Sequence, residues 1–231
     1  MGIALLVALQ LAAANAPAPC ASAHVSADAQ AQQHLLRGDD LAARRQLSLS
    51  TSDGLCAGLR LAMIALDGWA EARALAPAGG AADLLGPVQR TLEQLQAFSE
   101  TDEAIEAEYA QAAIRAAVAA AQDERPEMEL LLAHARDLSE RLQLRGRRAV
   151  WPRPWNLLAG ELWFEVDRFD DARAAYERAV TGEPSAAALV GLARAQARLG
   201  ELKAACATYG RATDVAPALR ALAATDLARC R

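Results

Sequence analysis

One stretch, from Pro152 to Pro217, is written twice at a constant offset, and nothing else in the chain narrows the possible folds as far. Ala172, Tyr176, Ala179 and Pro184 return as Ala205, Tyr209, Ala212 and Pro217, each 33 residues later. The copies read Phe169-Asp-Asp-Ala-Arg-Ala-Ala-Tyr-Glu-Arg-Ala-Val and Leu202-Lys-Ala-Ala-Cys-Ala-Thr-Tyr-Gly-Arg-Ala-Thr, each followed by a short turn ending in proline. Proline cannot continue a helix interior, so Pro184 and Pro217 stop the second helix of each copy. Read as a pair of amphipathic helices packed antiparallel, each unit needs small residues where the backbones approach and large ones where gaps remain. Gly160 with Ala172, and Ala193 with Ala205, are the expected close contacts. Trp163, Phe169 and Tyr176 would fill the first unit, and Leu189, Leu192, Leu202 and Tyr209 the second. Gly200 falls in the turn between paired helices and takes a positive φ cheaply, whereas the equivalent Asp167 tolerates it less well.

These residues at this spacing resemble the tetratricopeptide repeat family, whose unit is a helix-turn-helix of about 34 residues. The resemblance covers two repeats, over 153–217, in the C-terminal third of the chain. It implies an all-α fold of antiparallel helical hairpins, α-solenoid-like at the C-terminus, that serves as a binding scaffold without a particular chemistry. Gln196 and Ala193 stand where the family favours an aromatic and a glycine, and one residue is missing between the copies. About three units are normally needed for independent stability, because each leaves an apolar face for its neighbour. A closing helix over 218–231, with Leu219, Leu222, Ala223 and Leu227 on one face, would cover the back. Upstream helices must cover the front.

The upstream part, 17–145, reads as a helical array. Ala27–Gly38 and Asp39–Leu47 predict a short hairpin with Leu35, Leu36, Leu41 and Leu47 inward, and its Leu36-Arg-Gly-Asp-Asp-Leu-Ala-Ala string echoes the sequence around Gly200. A polar loop, 48–54, leads through the cap Asp53 into a helix from Leu55 to Ala74, with Leu59, Met63, Leu66 and Trp69 or Ala70 as its buried side. Ala76-Pro-Ala-Gly-Gly-Ala is the clearest break. Beyond Gly86-Pro87 one helix carries Val88, Leu92, Leu95 and Phe98 and ends near Ser99. Another starts near Thr101 with acids at its positive end and runs through alanines to Gln122. Pro126 opens a third, whose stripe of Met128, Leu131, Leu132, Ala135, Leu138 and Leu142 is the candidate to cover the repeats.

Residues Gly2 to Ala14 are apolar except for Gln10, a run too short to span a bilayer comfortably. It suits the core of a secretory signal over 1–16 with a cut after Ala16, although no basic residue precedes it. The other reading is an apolar helix on the core. Export predicts a periplasmic or secreted bacterial protein with no membrane span in the mature chain; without it the protein is cytoplasmic. Four cysteines allow three pairings. Cys206 and Cys230 lie 11 residues before and 13 after Pro217, so helices folded at that corner would bring both thiols to one height, within disulfide reach. Cys20 and Cys56 would close the first hairpin at its open end. The pairing Cys20–Cys56 and Cys206–Cys230 is therefore expected, against four separate thiols in a reducing compartment.

The formal net charge of −5 is not the footprint of a nucleic-acid binder. No catalytic set, phosphate-cradling loop, haem-attachment motif or metal spacing is present, and no cofactor is implied. His24, His34 and His134 share no motif with ligand-forming residues. Two features could bind. The resemblance implies that the first helix of each unit lines a concave groove, which would place Glu161, Phe164 and Glu165 beside Val190, Arg194 and Arg198, where the two arginines, one helical turn apart, could grip an acidic peptide or its terminal carboxylate. Alternatively they pair with Glu161 and Glu165. The linker over 146–155, with Arg145 just before it, holds Arg147, Arg148, Trp151, Arg153 and Trp155, a set able to meet an anionic headgroup or carboxylate. Its tryptophans would otherwise plug the joint between the halves. The function expected is a scaffold for a protein or peptide partner in the cell envelope. The alternative is a small-molecule or lipid carrier using the Arg/Trp junction.

Overall fold

The computed structural model describes residues 22–37, 39–49, 57–75, 85–182 and 184–217. The fold is all-α, and the described residues form ten helices: α1 Ser22–Leu36, α2 Asp40–Leu49, α3 Ala57–Leu75, α4 Leu85–Gln96, α5 Ala104–Ala121, α6 Arg125–Leu144, α7 Trp155–Glu165, α8 Phe169–Gly182, α9 Ala186–Arg198 and α10 Leu202–Val215. The expected signal segment, the cap Asp53, the Ala76–Ala81 break and the closing helix lie outside the described residues, as do Cys20, Cys56 and Cys230. Among the described residues no helix is long and apolar enough to cross a membrane.

Four of the hairpins close by one and the same turn. Backbone amides of Asp39, Glu124, Arg168 and Glu201 reach back to the carbonyls of His34, Ala119, Trp163 and Gln196, at 3.0, 2.9, 2.9 and 2.9 Å. This long bond satisfies a carbonyl at the end of the first helix, and it requires the preceding residue to be left-handed. Asp123, Asp167 and Gly200 meet that requirement with φ of 59°, 60° and 80°. Packing follows the turn. Eight residues before each donor stands a buried small residue, Ala31, Ala116, Gly160 or Ala193. Four after it come Ala43, Met128, Ala172 and Ala205, and eight after it Leu47, Leu132, Tyr176 and Tyr209, all buried. The 33-residue repetition is thus the visible end of a hairpin design that also governs α1–α2 and α5–α6.

Consecutive helices pack on one another, with α3 and α5 at the centre. The alanines of α5, from Ala107 through Ala119, are buried beside Tyr109 and Ile114, so the helix is covered on nearly every side. The stripe on α6 buries Met128, Leu132, Ala135, Leu138 and Leu142 chiefly against α5, and the two helices together flank α7. Leu158, Leu162 and Val166 join the same continuous core as the upstream helices. A second cluster around Leu157, Tyr176, Leu189 and Leu192 holds the two C-terminal hairpins together.

Several expectations are corrected. Leu41 is 58% exposed and Leu202 54% exposed, because each is among the first residues after a hairpin turn and points away from the partner helix. The polar loop begins later than Ser48, which α2 includes, and α7 starts at Trp155, two residues after the expected repeat boundary. Gly160 approaches the Tyr176 ring: a Cβ there would lie 2.6 Å from Tyr176 Cε1. Gly191, which the repeat pattern did not single out, meets the same ring, with its Cβ position 2.3 Å from Cε1. Tyr176 therefore wedges between α7 and α9, and both helices need glycine to admit it.

Candidate binding cavity

The inner faces of α7 and α9 do not form an open channel. Helix α1 comes back to touch α9, and Arg73 on α3 ion-pairs with Glu165 on α7. What remains between these elements is a cavity of about 450 Å³. One wall carries Glu161, Phe164 and Glu165 of α7 with Val190, Gly191 and Arg194 of α9, and the other carries Arg37, Asp40, Trp69 and Arg73. Tyr176 and Tyr209 also line it. Trp69, Phe164, Tyr176 and Tyr209 are four of the ten aromatic residues in the chain, so its scarce aromatic surface is concentrated here.

Arg153 is the tie that shapes the cavity. It is buried, with Nη2 2.6 Å from Asp40 Oδ2 at the start of α2 and Nε 3.1 Å from Glu161 Oε1. A third donor, Nη1, reaches the Pro152 carbonyl at 3.0 Å. The guanidinium lies 5.5 Å from the centre of the Trp69 ring, and the Arg153 carbonyl accepts a 2.6 Å hydrogen bond from the buried Tyr109 hydroxyl. Burial works against its charge, but Glu161 and Asp40 outweigh that and hold its pKa above the usual arginine value. A planar fork can satisfy both acids while stacking on the indole, which a lysine ammonium could not. Burial also raises the Glu165 pKa, opposed by Arg73. Burial raises the Tyr176 phenol as well, with Glu161 adding to the effect, so the hydroxyl stays neutral throughout the physiological range.

The structure brings together five of the six groove residues, Glu161, Phe164, Glu165, Val190 and Arg194, around this one space. Arg198 is not with them: its Nη2 lies 3.4 Å from Asp167 Oδ1 and its guanidinium 4.5 Å from the centre of the Phe169 ring. Neither arginine pairs with Glu161 or Glu165, which are neutralised by Arg153 and Arg73 instead. Arg194 makes no ion pair among the described residues.

No protein-family model matches the chain, and no curated protein or solved structure matches it either.

The six residues of the Arg/Trp junction are divided between spaces: Arg147, Arg148 and Trp151 border a cavity of about 620 Å³ together with Asp28, Glu103 and Glu106. Arg153 faces the cavity just described. Arg147 pairs with Glu106 at 2.6 Å and donates to the Asp102 carbonyl at 2.8 Å. Trp151 is buried and hydrogen-bonds Asp28, while Trp155 packs on the upstream core. Arg145 and Arg148 are exposed, and Arg148 and Trp155 share a smaller cavity of about 180 Å³ with Arg178. The tryptophans thus fill the joint between upstream and C-terminal helices. Cys206 is half-buried on α10 and is not a free thiol; both expected pairings involve cysteines outside the described residues. Among the described residues no group of three or more His, Cys, Asp and Glu could hold a metal ion. His134 makes one contact with Glu108, at 3.1 Å on the surface.

Sequence reasoning missed Arg37, Asp40, Trp69 and Arg73 as cavity residues. The echo around Gly38 was the only signal pointing to the first two, and nothing in the local pattern of α3 distinguishes Trp69 from an ordinary core residue.

Proposed function

We propose that this protein is a tetratricopeptide-type binding scaffold of the cell envelope, exported with Cys20–Cys56 and Cys206–Cys230 as disulfides, and not an enzyme. A protein or peptide partner inserts a short segment into the cavity between α7, α9 and the upstream helices. The observation that carries this reading is the convergence of the inner-face residues of both C-terminal hairpins on one aromatic cavity of about 450 Å³, within the range of about 300–1,000 Å³ typical of ligand sites. Its acids face Arg153 and Arg73, so an incoming group meets apolar surface and Arg37 and Arg194, neither of which makes an ion pair among the described residues. Apolar contact supplies affinity and the charge supplies selectivity.

A second reading is favoured by the size of the space. A cavity of about 450 Å³ bordered by α1 and α3 suits a small-molecule carrier as well as a peptide end, and Arg153 of the junction borders it.

The test is to fill the cavity. Ala187 lines it and is half-buried on α9. Ala187→Trp should abolish partner capture from an envelope extract while the helical signal and cooperative unfolding are kept, and Arg194→Glu should weaken the same capture. Arg198→Glu is the control and should leave capture unchanged. If Ala187→Trp captures the same partner as well as the unmodified protein does, the cavity is not the binding site.

A further inference from the structure

The charges around the cavity are unequal in a way that specifies what enters it. Three acids border the space, and each faces an arginine: Asp40 and Glu161 face Arg153, and Glu165 faces Arg73. Two further arginines border it, Arg37 from the α1–α2 turn and Arg194 from α9, both exposed and neither in an ion pair among the described residues. Four guanidinium groups face three carboxylates, one of them, Arg153, shared by two acids, so the space carries one positive charge in excess, and Arg37 and Arg194 are the arginines that no acid engages. An incoming cation would find one carboxylate oxygen without a hydrogen-bond partner, the buried Asp40 Oδ1, whereas an incoming anion meets the exposed guanidinium groups of Arg37 and Arg194 and the excess positive charge. Two arginines can meet a carboxylate with several charge-assisted hydrogen bonds.

The rest of the lining fixes the body that carries the anion. Phe164, Ala187 and Val190 present half-buried apolar surface, and the buried Trp69, Tyr176, Tyr209 and Ala186 complete the lining. A space of about 450 Å³, bounded by α1 against α9 and by α3 tied to α7, suits a compact body.

We propose that the cavity binds a carboxylate carried on a compact aromatic or branched apolar body, the anion facing Arg37 and Arg194 and the body lying against the four aromatic side chains. This rests on the reading that the cavity is the binding site. The carboxylate has two possible sources, the last residue of a partner chain or a free organic acid, and the two share the same recognition.

The experiment uses the full chain and calorimetric titration with two matched pairs of probes. One pair is N-acetylphenylalanine and its amide; the other is a hexapeptide ending in phenylalanine with a free or an amidated C-terminus. The free acid of at least one pair should bind about tenfold or more tightly than its amide, the size expected for a charge-assisted contact. Arg37→Gln with Arg194→Gln should erase that difference. Binding of the hexapeptide acid alone assigns the site to a chain end, and binding of both acids assigns it to small organic acids. Acid and amide binding equally overturns the anion assignment while leaving the cavity as a binding site. If neither acid binds, the proposal is overturned, and the Ala187→Trp capture experiment separately decides whether the cavity binds anything. A preference for the acid that survives in the double variant also overturns it.

Discussion

Replacing Gly191 by alanine tests whether the wedge of Tyr176 between α7 and α9 organises the C-terminal half. The added methyl carbon would sit 2.3 Å from Tyr176 Cε1 and 2.4 Å from Cζ, so the ring must recede by more than an ångström to reach the 3.4 Å of ordinary contact. It has little room, because the Gly160 backbone already stands against the same ring. Overpacking of this kind costs about 1–3 kcal/mol. Alanine in a helix regains about 0.5–1 kcal/mol over glycine, leaving a net loss of about 1–2 kcal/mol. Gly210 on α10 is the internal comparison, since a Cβ there meets nothing within 4 Å. Gly210→Ala should therefore stabilise by about 0.5–1 kcal/mol, the opposite sign for the same chemistry. Urea unfolding followed by circular dichroism measures both. Tyr176→Leu should remove much of the Gly191→Ala penalty in a double-mutant cycle, with a coupling of about 1 kcal/mol or more. If Gly191→Ala is as stable as Gly210→Ala, or the two substitutions at the wedge are additive, the wedge is not what fixes α7 against α9.

Asp123 and Asp167 hold left-handed backbone that glycine adopts without strain, so Asp123→Gly and Asp167→Gly should each raise stability by about 1 kcal/mol in urea unfolding, and Gly200→Ala should lower it similarly. Arg153→Met leaves Glu161 and Asp40 without their cation. A loss near the lower end of about 3–5 kcal/mol is expected, since Asp40 is half exposed and can hydrate; an unchanged unfolding midpoint would show that Arg153 does not tie α2 to α7. Burial raises the pKa of Asp28, Asp67, Glu106 and Glu165 above their ordinary 3.8 and 4.5. In the window between ordinary and raised values the folded state binds more protons than the unfolded one, so these groups favour folding below it and their contribution is lost as pH rises through the raised values. Unfolding from pH 4 to 7 should therefore show Glu165→Gln gaining relative to the unmodified protein as pH rises; a constant difference counts against the assignment.

How far the sequence spoke depends on where the physics is local. Helices, their apolar stripes and the turn at Gly200 follow from spacing and from residues that alone suit a left-handed position, and these were legible. Leu41 and Leu202 were misplaced because a leucine in the first turn of a helix satisfies the same periodicity whether it points in or out. The groove residues of α7 and α9 were named from the geometry that the tetratricopeptide resemblance implies, and all but Arg198 border one cavity. The pairing of their charges was not: Glu161 found Arg153 eight residues earlier, and Glu165 found Arg73, 92 residues away in sequence. Arg153 precedes α7 and Arg73 lies on α3, so neither pairing leaves a periodic trace.

The shared turn explains why the repetition ends where it does in sequence but not in structure. The donor amides at Asp39, Glu124, Arg168 and Glu201 are separated by 85, 44 and 33 residues, so only the last interval is one repeat long. Helices α3 and α4 are interposed in the longest interval, and their interposition breaks the regular stacking. A strictly regular array would leave the inner faces of α7 and α9 open along their length. Here the irregular insertion delivers Trp69 and Arg73 to that face, and the first hairpin folds back to bring Arg37 and Asp40 beside them. The regular part therefore builds one wall and the irregular part the other. Substitutions at Trp69 or Arg37 should accordingly change what the cavity accepts without altering the packing of the C-terminal hairpins, whereas those at Tyr176 should change both.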